Sequence, residues 1–321
     1  MTNFKITDEQ LASSVKRLGN PGSTALLHSP CCIFCIPQVD GIVGYQLIRN
    51  CAVVFGDPVC LPQDIAELTQ AFHLYCKESN WTIVYLLASD SFAHWAIHNV
   101  CHTLIQAGEE LILDPTSFQK KQNIRWKINQ SLNHGVVIKE YQNFDPSLEN
   151  QMKNTIEAWL KARHGAQIHL GKPDFFLRHA NKRIFYALKE EKVIGFLGLL
   201  PIDRFQGWVM TTFLATSDAP VGTTEYLISC VLEALTSENC HFLCLGAASG
   251  AKLGEIVGLN TFSRFFVHLI FKISKKLFRL DAKQIYLNKY YPYVVPTYVL
   301  CSGKLSFSEL IAIKQTLNVK L

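Results

Sequence analysis

Two apolar periods divide this chain into strands and helices. Short apolar runs bounded by turn residues predict strands over 25–37 (ALLHSPCCIFCIP), 43–55, 82–88, 109–115 and 136–141. Apolar residues at helical spacing predict helices over 62–78, 89–108 and 118–134. The second half continues with a helix over 148–163, then a hairpin of 184–188 with 193–200 turning at Glu190-Glu191. A strand over 208–215, a helix over 223–236, a strand over 241–245 and a helical region over 259–280 follow. Strands near Tyr286 and over 297–301 and a helix from Phe307 complete the chain. Residues 1–23 are polar, end in the turn cluster GNPGS and read as a tail. The halves 24–145 and 146–321 share one order of elements without a sequence repeat. The expected fold is α/β (α+β), with a mixed central sheet flanked by helices in each half.

Composition agrees with a large core. The 321 residues are 49% hydrophobic and 18% charged, enough for two ordinary domains. The net charge of +5 permits an anionic partner without demanding one. Eleven cysteines lie mostly inside apolar runs, where thiols act as small hydrophobes. The first eleven residues contain no apolar core segment, so a reducing, cytoplasmic compartment is expected. The most apolar stretch, 256–271, is broken by Asn260 and Arg264, so no spanning helix is expected. Cys32-x-x-Cys35 and Cys240-x3-Cys244 lack a histidine pair at ligand spacing, and no metal is expected. Walker, GxGxxG and GxSxG motifs are absent.

The stretch 118–135, FQKKQNIRWKINQSLNHG, holds Lys120, Lys121, Arg125 and Lys127 and no acid. Ile124, Ile128 and Leu132 make one face; Lys121, Arg125 and Asn129 make a second stripe at the same spacing. Gly135 stands where a helix ends. Cations in a first turn oppose the helix dipole, so this helix reads either as an anion holder or as a solvated basic face. Along 262–280, Phe262, Phe265, Phe266, Leu269, Ile270, Ile273 and Leu277 form one face. Arg264, His268, Lys272, Lys275, Lys276 and Arg279 form the other. That pattern fits a helix on an anionic membrane, and equally an ordinary surface helix.

GYQLIRNCAVVFGDPV (44–59), QKKQNIRWKINQSLNHGVVI (119–138), EAWLKARHGAQIHLG (157–171), GFLGLLP (195–201), DAPVGTTEYLI (218–228), CLGAA (244–248) and NKYYPYVVPTYVL (288–300) occur in order. Together they resemble the C-terminal catalytic domain of the phosphatidylglycerol lysyltransferases, of the multiple-peptide-resistance-factor type. The resemblance implies two tandem acetyltransferase-like (GNAT) domains. It implies transfer of an amino acid from aminoacyl-tRNA to a lipid hydroxyl at the inner membrane face. Aminoacyl-tRNA would be the donor, with no further cofactor; an anionic phospholipid surface would be the other partner, and DNA none. Glu225, Asp57 and Lys289 are then the candidate catalytic residues. Arg49, Lys120, Lys121, Arg125, Asn129, Thr211, Asp218, Gly222 and Tyr290 are candidate substrate contacts. Arg264, Lys272, Lys275, Lys276 and Arg279 would face the membrane.

Each candidate also has a plainer reading. Gly56-Asp57-Pro58 suits a turn, Arg49 an exposed strand face, Glu225 a favourable helix-start charge, and Lys289 with Tyr290 a packing motif. The family usually carries Asp-Leu-Met-Arg before the DAPxG turn, its charges holding the transferred amino acid. Here Thr211-Thr212-Phe213-Leu214 lacks both charges. A neutral amino acid, another acyl donor, or a binding module without chemistry therefore stays open. The pyrophosphate-loop signature of acetyl-CoA enzymes is missing before the helix at 223.

Overall fold

The computed structural model describes residues 6–28, 30–162, 182–278 and 282–317. Its first element lies inside the stretch read as a tail: helix α1 (Asp8–Leu18). Thr7 and Gln10 form a capping box, which satisfies free N–H groups at the helix start. Leu11, Ala12, Val15 and Leu18 are then buried along one face. A 3-10 segment, Pro21–His28, follows, wound by Ser23 N–H donating to Asn20 Oδ1 and Thr24 Oγ1 donating to Pro21 O. Of the apolar run at 25–37, only β1 (Cys32–Phe34) is therefore a strand.

The predicted strand 43–55 is a hairpin of β2 (Val43–Ile48) and β3 (Cys51–Phe55). Arg49 and Asn50 both take left-handed φ, 49° and 59°, as a two-residue hairpin turn requires. Next come α2 (Ile65–Glu78), β4 (Thr82–Ala88), α3 (Asp90–Asn99) and β5 (Thr103–Leu113). Helix α3 ends well before residue 108, and the rest of the predicted helix is strand. Then follow α4 (Gln122–Asn133), β6 (Val137–Glu140), α5 (Pro146–Ala162), β7 (Arg183–Lys189), β8 (Lys192–Ile202) and β9 (Gly207–Ala215). The remaining elements are α6 (Thr223–Ser237), β10 (Leu243–Ser249), β11 (Ile256–Val257), α7 (Thr261–Phe278), α8 (Ala282–Leu287), β12 (Tyr293–Cys301) and α9 (Phe307–Thr316). Tyr286 is helical rather than strand. The motif residues 163–171 and Arg279 lie outside the described residues.

The sheet runs β1-β2-β3-β4-β12-β5-β10-β9-β8-β7-β6, with β11 paired to β5 beside this path. One unit occurs twice. Antiparallel β2 and β3 lead through α2 to β4, which is parallel to β3. Antiparallel β8 and β9 lead through α6 to β10, which is parallel to β9. This is the GNAT-like order in a mixed α/β sheet. Strand β12 runs antiparallel between β4 and β5, and β5 also pairs with β10, so the sheet is continuous through both halves.

Helices cover both faces, which is why central strands read as unbroken apolar runs. Along β3, Ala52 and Val54 pack with Leu68 and Phe72 of α2 and Phe92 of α3. Cys51, Val53 and Phe55 face Val15 of α1 and Ala312 of α9. Along β8, Phe196 meets Met152 and Ile156 of α5. Leu197 lies with Ile128 of α4 and Leu227 of α6. Strands β9 and β10 are in register only at Trp208 with Leu243 and Val209 with Cys244. Beyond that point both strands carry bulges, at Thr211 in β9 and across 245–246 in β10.

Candidate active site

The site forms where α6 begins. The DAPVG turn ends in Gly222, whose φ of 94° favours glycine. A Cβ there would lie 1.8 Å from the carbonyl oxygen of Lys127, so only glycine lets α4 approach this closely. The approach carries Lys127 of α4 to Glu225 in the first turn of α6. Glu225 Oε1 accepts from Lys127 Nζ at 2.9 Å and from Lys289 Nζ at 2.5 Å. Glu225 Oε2 accepts from Thr224 Oγ1 at 3.0 Å, and Tyr286 Oη donates to Thr224 Oγ1 at 2.7 Å. The Lys289 ammonium also lies 3.4 Å from the centre of the Tyr286 ring, a cation–π contact.

Burial sets the electrostatics. The Glu225 side chain is 3% exposed, Lys289 17% and Lys127 38%. Burial alone would raise the Glu225 carboxyl, but the hydrogen bonds from Lys289 and Lys127 outweigh it and hold it down to about 2. Burial also lowers Lys289, against the pull of Glu225. The cluster is thus a fixed carboxylate between two cations. Beside it opens a cavity of about 370 Å³ whose lining includes Phe118, Gln119, Lys121, Tyr290, Tyr291 and Tyr293. Lys121 Nζ sits 3.4 Å above the Tyr291 ring, and the buried Tyr290 hydroxyl has no hydrogen-bond partner among the described residues. Tyr290 joins the two regions, its ring centre 5.4 Å from Lys289 Nζ.

The other candidates are placed as follows. Helix α4 starts at Gln122, so Lys120 and Lys121 precede it instead of occupying its first turn. Lys120 pairs with Glu233 of α6. Arg125 and Asn129 are exposed on α4, next to an exposed Trp126. Leu132 is also exposed; Ser131 is buried in its stead, against Thr223. Asp57 is buried and accepts from the Ser89 N–H at 2.8 Å and Ser89 Oγ at 2.6 Å, which fixes the start of α3. Arg49 lies exposed in the β2–β3 turn, not on a strand face. No contact among the described residues ties Asp57 or Arg49 to Glu225. Asp218 is exposed and faces Lys192 at 4.0 Å. Thr211 is the extra residue of the β9 bulge, while Leu214 packs in the core beneath α5. On α7, Arg264 donates to the Leu259 and Ile256 carbonyls and Lys275 to the Ala251 carbonyl, so both turn toward the protein body. Lys272 and Lys276 are exposed.

The pairing of Glu225 with Lys127, Thr224 and Tyr286 had no sequence signature beyond an acid at a helix start and cations without acids. A second buried carboxyl, Glu110, also escaped the motifs. It lies in β5 between Val295 of β12 and Ala247 of β10 and makes no ion pair among the described residues. Burial, helped by the charge of Asp57, pushes it up to about 7.

Fold and site define a GNAT-like chain of two tandem units, with a buried carboxylate–lysine cluster at the start of the second unit's helix α6. The family described as phosphatidylglycerol lysyltransferase, C-terminal, matches residues 17–301, and the chain belongs to it. A phosphatidylglycerol lysyltransferase of Staphylococcus epidermidis is 25% identical over 280 residues, covering 84% of this chain and 32% of that protein. The chain thus spans about a third of the length of such curated relatives. The structure of L-PGS from Bacillus licheniformis superimposes with a TM-score of 0.80 at 16% identity, covering 98% of this chain and 99% of that one. A C-terminal domain from Agrobacterium fabrum does so with a TM-score of 0.79 at 16% identity, covering 97% and 96%. These two likenesses concern the fold.

Proposed function

We propose that this chain moves an amino acid from aminoacyl-tRNA to a hydroxyl of an anionic glycerophospholipid of the phosphatidylglycerol type. The observation that carries the reading is Glu225, buried between Lys127 and Lys289 beside a tyrosine-lined cavity. An aminoacyl ester is already activated, so the chemistry reduces to positioning, proton removal and stabilising an oxyanion. The acceptor oxygen bonds to the ester carbonyl carbon, the bond from that carbon to the ribose oxygen breaks, and the acceptor proton ends on the ribose oxygen. A carboxyl held down to about 2 is a poor proton acceptor at neutral pH, so Glu225 serves as an anchor. It aims Lys289 and offers negative charge to the α-ammonium of the substrate. Lys289 keeps further N–H bonds for the oxyanion. Lys121 and Arg125 suit phosphates, and the faces of Tyr291 and Tyr293 suit a terminal base. Thr211 in a bulge and Leu214 in the core support an amino acid with an uncharged side chain.

The test incubates the purified protein with a pool of labelled aminoacyl-tRNAs and phosphatidylglycerol in detergent micelles. Labelled lipid is expected, with Lys289→Ala slowing turnover by about 100-fold or more. Folded protein that makes no labelled lipid overturns the reading. Binding of tRNA without turnover then indicates a non-catalytic module. Stabilisation by coenzyme A and not by tRNA indicates an acyl-CoA-dependent transferase.

A further inference from the structure

Helix α7 presents its apolar face away from the protein. Phe262 is 71% exposed, Phe265 65% and Ile273 55%, and Phe266, Leu269 and Ile270 share that face. Their rings meet each other, Phe262 and Phe266 at 4.8 Å, rather than a core. No described side chain of α7 is buried. The line that leans on the body is Ser263, Val267, Phe271 and Ser274, held by the Arg264 and Lys275 hydrogen bonds to backbone carbonyls. A helix made for a core would have the opposite orientation.

The charges fit one kind of partner. From 256 to 280 the chain has no acidic residue. At helical spacing Lys272 and Lys276 fall along one border of the apolar face, and both are exposed. A second copy of α7 would bring the same cations and no acid to receive them. No helix among the described residues is long and apolar enough to cross a membrane. An apolar face bordered by cations is instead the pattern of a helix lying in the plane of an anionic bilayer.

We propose that α7 docks this chain on an anionic phospholipid surface, its Phe262-to-Ile273 face entering the acyl boundary while Lys272 and Lys276 meet lipid phosphates. The purpose, bringing the site to its acceptor, rests on the reading of a lipid acceptor; the contact itself does not. Arg264 and Lys275 do not take part, because they hold the helix to the body.

Co-sedimentation with vesicles of equal parts phosphatidylglycerol and phosphatidylcholine tests this, with pure phosphatidylcholine as the control. The full chain should bind the mixed vesicles and barely bind the neutral ones. The triple variant F262D/F265D/I273D should lose at least about tenfold in binding, since its charges oppose entry into the acyl boundary. At about 1 kcal/mol for each cation near an anionic surface, K272A/K276A should lose roughly 30-fold. Since no described side chain of α7 is buried, both variants should keep the wild-type melting temperature. Absence of vesicle binding by the wild type, or equal binding by the triple variant, overturns the proposal. So does a wild type that ignores vesicles but self-associates through this face, as light scattering would reveal. Transfer to phosphatidylglycerol in micelles should survive the triple variant. Vesicle binding without any transfer would therefore refute the proposed reaction and leave the docking intact.

Discussion

Replacing Glu110 by glutamine should stabilise the protein, by a margin that opens above pH 4.5 and is complete above about 7. The carboxyl sits in the middle of β5, where burial raises it from 4.5 to about 7. Below pH 4.5 both the folded and unfolded chains hold this proton. Between 4.5 and about 7 the unfolded chain releases it and the folded chain does not, so stability falls as pH rises. At about 1.4 kcal/mol per pH unit, the loss is about 3 kcal/mol and is complete above the folded value. Glutamine has nearly the same shape and never ionises. Glu110→Gln should therefore match the wild type below pH 4.5 and exceed it by about 3 kcal/mol in mild alkali. For a chain of this size that is roughly 5 °C in melting temperature. Thermal melts of both proteins across this pH range measure the difference directly. A gap that does not grow with pH, or a variant less stable in alkali, would refute the reasoning, because the proton would then not be held by burial.

Two other positions make different demands. Gly222→Ala puts a methyl group into the Lys127 carbonyl, so α4 and α6 must separate; a loss of about 2 kcal/mol or more is expected in chemical denaturation, together with loss of transfer activity. Wild-type stability there would mean that the close approach is not needed. Glu225→Gln leaves Lys127 and Lys289 without their carboxylate and should cost about 3 kcal/mol at neutral pH. Because the folded carboxyl is lowered from 4.5 to about 2, the wild type's advantage should shrink as pH falls through that range, which paired denaturation curves at several acid pH values would detect.

Most of the strand and helix rhythm was legible because burial leaves a period in the chain. The turn at Glu190-Glu191 stands out in the sequence between two apolar runs, and both residues take left-handed φ. The equivalent turn at Arg49-Asn50 leaves no such mark, because β3 is buried on both faces and the apolar run does not alternate. Residues 103–108 read as helix because Ala96, Ile97, Val100, Cys101, Leu104 and Ile105 continue a helical spacing. Pairing of β5 with β12 and β10 overrides that local preference. Glu225 was visible as an acid at a helix start. Its partners were not, because Lys127 and Lys289 lie 98 and 64 positions away and only the fold brings them in. Asp57 follows a strand end, as a ligand contact would, yet its side chain is committed to the Ser89 cap.

The seating of β12 between β4 and β5 bears on how the chain is made. During synthesis β1 to β11 emerge before the strand that joins those two neighbours exists. Until residues 293–301 leave the ribosome, the facing edges of β4 and β5 have no permanent occupant, and the early half must wait with open backbone groups. The last strand thus acts as a keystone. Folding should complete late and all at once, and a chain broken between the two halves should recover its sheet only when both pieces are present together.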